Sequence, residues 1–148
     1  MRESLIVAVA LLLSACGGGE GTSLTGPSNS IPNVAGSYSG TTTMTFPELS
    51  QSMTCTTSTS VTQSGSTISV APLVLGGQCG NVSVPVGQVT IDNTGAWLGS
   101  AVTTYNDPSC GLYSVVGSGG FFGRQMRLSI NATSRTCYNV NMTITLSH

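Results

Sequence analysis

The sequence predicts an all-β domain, a small antiparallel up-and-down β-barrel of about eight strands. Three observations predict it. From Val34 onward, apolar and polar residues alternate with period two, as in pleated strands that bury one face. Turn-forming residues cut that region at short intervals. No helical period appears after Leu13. Eight short sequential strands suit an up-and-down barrel. A two-sheet β-sandwich is the second choice.

The predicted strands lie near 34–46, 53–63, 67–75, 80–91, 96–105, 111–117, 121–132 and 137–147. In the first, Val34, Gly36, Tyr38, Gly40, Thr42, Met44 and Phe46 share one face, and Ala35, Ser37, Ser39, Thr41, Thr43 and Thr45 the other. Near the end, Met126, Leu128, Ile130 and Ala132, then Val140, Met142, Ile144 and Leu146, form two further apolar faces. Turns are expected at Ser64-Gly65-Ser66, Gly76-Gly77, Asp92 to Gly95, Asn106-Asp107-Pro108, Gly117 to Gly120 and Thr133 to Arg135. Pro72 and Pro85 cannot donate to a ladder, so their strands carry a bulge or sit at a margin. The segment Val34-Ala35-Gly36-Ser37-Tyr38-Ser39-Gly40 resembles the Gly-x-aromatic opening of the first strand in lipocalins and avidins, and that resemblance implies a barrel. Tyr38 stands where those families usually have tryptophan, and Trp97 is the only tryptophan in the chain.

The N-terminus reads differently. A short polar start, Met1 to Ser4, precedes nine unbroken apolar residues from Leu5 to Leu13. That is a signal-peptide core, well short of the roughly 20 residues needed to span a bilayer. Leu13-Ser14-Ala15-Cys16 follows, then three glycines. This resembles the lipobox of bacterial lipoproteins. The resemblance implies a signal peptide over 1–15, removed before Cys16, a diacylglyceryl group on the Cys16 thiol, and acylation of the new amino group. Two or three acyl chains anchor a protein firmly in a membrane. Gly17, rather than aspartate, after the lipidated cysteine implies the outer membrane of the cell envelope more than the inner one. Residues 16–33 then form a lipidated tether rich in Gly, Ser and Thr, too poor in apolar groups to fold, and 34–148 the barrel.

With Cys16 assigned to lipid, Cys55, Cys79, Cys110 and Cys137 remain, and four cysteines in an exported domain read as two disulfides. No two of them are closer than 24 residues, which argues against a zinc site built on close pairs. Each lies at or near the start of an even-numbered strand, so all four gather on the barrel rim opposite the tether. Cys55 with Cys79 and Cys110 with Cys137 is the preferred pairing. Cys55 with Cys137 and Cys79 with Cys110 is second, and the crossed pairing would span the mouth.

Only 6% of the residues are charged, none is lysine, and the net charge is −1. Three arginines beyond the start, without an aromatic ladder, exclude a nucleic-acid footprint. No catalytic residues are assigned. The acids Glu20, Glu48, Asp92 and Asp107 are scattered, Asp92 and Asp107 in turns, and the single histidine is the terminal His148. No cofactor or metal is implied. Two functional readings follow. One is a structural or interaction lipoprotein of the envelope, with a protein partner. The other is lipocalin-like binding of a small apolar ligand inside the barrel, lined by Tyr38, Met44, Phe46, Trp97 and Tyr105, with Gly36, Gly40, Thr57, Thr59 and Gly99 also facing inward.

Overall fold

The computed structural model describes residues 30–148. The predicted signal peptide, Cys16 and most of the tether lie outside them. The described chain forms ten strands: β1 (Gly36–Phe46), β2 (Gln51–Ser64), β3 (Thr67–Val70), β4 (Leu73–Gly77), β5 (Val82–Val84), β6 (Gly87–Thr90), β7 (Ala101–Asp107), β8 (Gly111–Phe122), β9 (Gln125–Ser134) and β10 (Val140–Ser147). They make one antiparallel sheet with the path β5-β4-β2-β1-β10-β9-β8-β7, and β3 branches from β2 to carry β6. The first and last strands are neighbours, with Met44 opposite Met142 and Thr42 opposite Ile144. The sheet therefore curls into a nearly closed up-and-down barrel, not two packed layers. On the open side, bridges Ile91–Trp97 and Ala96–Gly120 and the bond from Leu98 N–H to the Thr90 carbonyl (2.7 Å) stitch one end.

The two extra strands come from proline. The predicted third strand breaks at Ala71-Pro72 into β3 and β4, and the fourth at Pro85 into β5 and β6. The long β2 pairs with β4 along one half and with β3 along the other. The break between them is tied down: Ala71 N–H donates to the Ser60 carbonyl (2.9 Å), and the Thr59 hydroxyl to the Ala71 carbonyl (2.7 Å).

Gly76-Gly77 and Asn106-Asp107, expected as turns, are the last residues of β4 and β7, and the chain reverses just after them. Two expectations need larger correction. Gly117-Ser118-Gly119-Gly120 is not a turn. It lies inside β8, and the reversal comes at Gly123, whose φ is 62°. A Cβ on Gly119 would overlap the Arg127 carbonyl, and one on Gly120 would sit 3.1 Å from the Ala96 Cα. These glycines allow close backbone approach rather than chain reversal. The predicted fifth strand begins only at Ala101, which leaves Gly99 exposed in the preceding loop, not facing inward.

Alternation fills the interior. Tyr38, Cys55, Val61, Ile68, Leu75, Phe121, Leu128, Ile130, Ile144 and Leu146 are all buried. Among the described residues, the buried polar pair Thr42 and Thr57 is self-satisfied, the two hydroxyls lying 2.7 Å apart. The outer face of β1, β2, β9 and β10 is mostly serine, threonine and asparagine. Disulfides join Cys55 to Cys79 and Cys110 to Cys137, with Cα separations of 5.6 and 5.5 Å. Both bridges sit at the end of the barrel where β1 finishes. The chain enters at the other end, where Gln63 accepts from Val34 N–H (2.7 Å) and donates to the Pro32 carbonyl (2.9 Å), and Ile31 packs on the core.

Candidate functional site at the disulfide rim

The barrel is open where β5 and β7 end the strand path. β5 has three residues, because Gly80 with φ of 64° turns into it and Pro85 stops it. No hydrogen-bonded ladder joins it to β7 among the described residues. An apolar cavity of about 180 Å³ opens there, at the disulfide end. Val82 and Val84 of β5 line one side, and Tyr105 and Asp107 of β7 the other. Met44, Phe46 and Met142 come from β1 and β10, and Tyr113, Val115, Ala132 and Val140 complete the wall. Larger hollows elsewhere, such as the groove of about 630 Å³ beside Ala71-Pro72, lie on the outer face among serines and threonines.

The loops around this mouth are braced by their own side chains. Asp107 accepts from the Ser109 and Cys110 amides, both at 2.8 Å, which shapes the β7–β8 turn. Glu48, in the 3-10 turn after β1, accepts from the Asn139 side chain at 2.7 Å and its backbone amide at 3.2 Å. That contact joins the loop after β1 to the loop before β10. The Thr136 hydroxyl bonds the Cys110 carbonyl beside the second disulfide. Tyr113 donates to the Tyr138 carbonyl (3.3 Å), and its ring centroid lies 6.3 Å from that of Tyr105. Burial, with Asp107, Tyr105 and Glu48 nearby, raises the Tyr113 phenol above its usual 10.0, so it stays a neutral donor.

Of the lining residues expected from the sequence, Met44, Phe46 and Tyr105 meet at this mouth. Tyr38 and Trp97 lie in the other half of the barrel. Tyr38 donates to the Val34 carbonyl (2.8 Å) and packs against Phe121 and His148, centroids 5.8 and 5.2 Å away. Trp97 is buried against Gly117, and its indole N–H finds no acceptor among the described residues. Sequence reasoning had Ala132, Val140 and Met142 on apolar faces without marking them as mouth residues, and missed Val82, Val84, Asp107, Tyr113 and Val115. The phase of alternation would have marked Tyr113 and Val115, whereas the short β5 carries no periodic signal.

Ionisable groups are dispersed. Asp92 accepts from the Thr94 hydroxyl (2.6 Å) and amide (2.8 Å) and the Ala96 amide (3.0 Å) within its own turn. His148 stands at the far end from both disulfides. Among the described residues no three His, Cys, Asp or Glu side chains gather to hold a metal, and no helix is long and apolar enough to cross a membrane. Compared with family models, with curated proteins and with solved structures, the chain matches none of them.

Proposed function

We propose that this chain is an envelope lipoprotein, anchored through lipid on Cys16, whose barrel works by binding rather than catalysis and takes a small apolar ligand at the disulfide-rim mouth. The observation that carries the reading is the mouth itself: an apolar hollow between β5 and β7, at the barrel end that carries both disulfides. Its 180 Å³ suits one ring or a short hydrocarbon tail, since an apolar cavity of about 150 Å³ holds benzene. Tyr105 and Asp107 at its edge suit a hydroxyl or amine on the ligand. β1 spans 11 residues from the entry end to the mouth, about 35 Å of strand, so a tether to a membrane leaves the mouth facing away from it.

Native mass spectrometry of protein extracted gently from membranes tests both halves. A chain starting at Cys16 with acyl mass, carrying a bound apolar molecule that Ala132→Phe excludes, is the expected result. Cys16→Ser should leave the precursor unprocessed. A mature chain without acyl mass overturns the anchor, and an empty mouth that also ignores added toluene overturns the ligand.

A second reading, an interaction lipoprotein, draws on the edge strand β7. Val102 is 72% exposed and lies opposite Val116, and nearby Leu98 is 61% exposed. No lysine or proline blocks this edge from pairing with a partner strand.

A further inference from the structure

The chain has five methionines. One begins it, and Met126 is fully buried in β9. The other three fall side by side. Met44 of β1 is the register partner of Met53 in β2 and of Met142 in β10. All three occupy inward positions of their strands at the disulfide end. Met44 and Met142 line the mouth, Met44 and Met53 are only half-buried, and Met44 Sδ lies 3.4 Å from Cys79 Sγ. Directly opposed side chains on one sheet face have Cβ atoms about 4.5–5.5 Å apart. Methionine's three rotatable bonds then let neighbouring thioethers turn toward one point.

We propose that Met44, Met53 and Met142 form a site for a soft monovalent cation of the Cu(I) class. Thioether sulfur is a soft, neutral ligand that favours Cu(I) over zinc, calcium or magnesium, which need imidazole, thiolate or oxygen donors. Among the described residues, this rim has three methionines at neighbouring register positions and no group of three His, Cys, Asp or Glu. The surroundings suit one positive charge. Asp107, Phe46 and Tyr105 line the same mouth, one acid and two aromatic residues. Core filling accounts for a methionine at an irregular gap. It does not call for three in adjacent register at an open rim, where, Asp107 apart, the rest of the wall is valine, alanine and aromatic residues.

Ag(I), of the same soft class, tests this without a reductant, so both disulfides stay closed. Calorimetry and native mass spectrometry on the mature domain should show one methionine-dependent Ag(I). Leucine keeps the apolar volume and removes the sulfur. Met44→Leu should therefore weaken Ag(I) by at least about tenfold, the scale on which even outer partners of a metal act. The triple leucine variant should abolish it, and Met126→Leu should leave it unchanged. Met53→Leu, which does not line the cavity, reads the sulfur effect even if Met44→Leu reshapes the mouth. The same leucine variants should still bind toluene, which separates this site from the apolar-ligand reading. No Ag(I) retained by the parent protein, or equal retention by the triple variant, overturns the proposal.

Discussion

Leu128 and Ile144 face each other across β9 and β10, each almost wholly buried. Truncating either to alanine should cost roughly 2–5 kcal/mol, the range for buried aliphatic side chains. Thr43 and Thr143 are partners on the outer face of β1 and β10, and both are exposed. Thr43→Ala and Thr143→Ala should stay within about 0.5 kcal/mol. Urea unfolding of the four variants checks this. Equal costs on the two faces would mean that the outer threonines are covered by a further layer. Acid and base also act at single residues. Burial raises the Tyr38 phenol above its ordinary 10.0. The folded chain holds that proton more tightly, so this contribution is full below pH 10.0 and lost as the pH rises past it. The Thr94 hydroxyl, then its amide, with the Ala96 and Gly95 amides, holds the Asp92 carboxyl below 3.8. Its contribution is present above that pH and lost as the pH falls through the lowered value. Asp92→Asn should flatten the acid limb of a stability–pH curve, and Tyr38→Phe the alkaline limb.

At the scale of elements, glycine separates what was legible from what was not. The strands with strict alternation, β1, β9 and β10, fall close to where the sequence put them. Spacing along alternating strands put the four cysteines on one rim and left two pairings open, and the preferred one is formed. Each bridge closes a loop of 24 or 27 residues, worth about 3 kcal/mol in the chain-entropy model. The run Gly117 to Gly120 misled because glycine serves two ends, chain reversal and close approach, and local sequence does not separate them. Gly119→Ala therefore tests the structure more sharply than any turn glycine. Its methyl would press on the Arg127 carbonyl across the β8–β9 pairing. The expected cost is about 1–3 kcal/mol, as for other overpacked sites. Gly65 faces open space in the β2–β3 turn, and there the cost should be only the left-handed backbone term of about 1–2 kcal/mol. Thermal unfolding of the two variants gives the comparison. A silent Gly119→Ala would mean that β8 does reverse at the glycine run.

Across the whole molecule, alternation tells which face a residue occupies but not its height along the barrel. Height depends on the register of every ladder around the sheet. Hence Met44, Phe46 and Tyr105 could be marked as inward, yet the sequence could not separate them from Tyr38 and Trp97, which lie toward the other end. The gap between β5 and β7 was less legible still. It arises because Pro72 and Pro85 split two strands, which leaves a three-residue strand facing a seven-residue one. That gap is the basis of the binding reading, and one titration addresses it. Side-chain resonances of the barrel are followed by NMR as toluene is added. The account predicts saturable shifts confined to Met44, Val84, Val115, Ala132 and Met142, with Leu98, Val102 and Val116 on the outer face unmoved. Shifts at those outer residues alone, or no saturable shift at all, would contradict it.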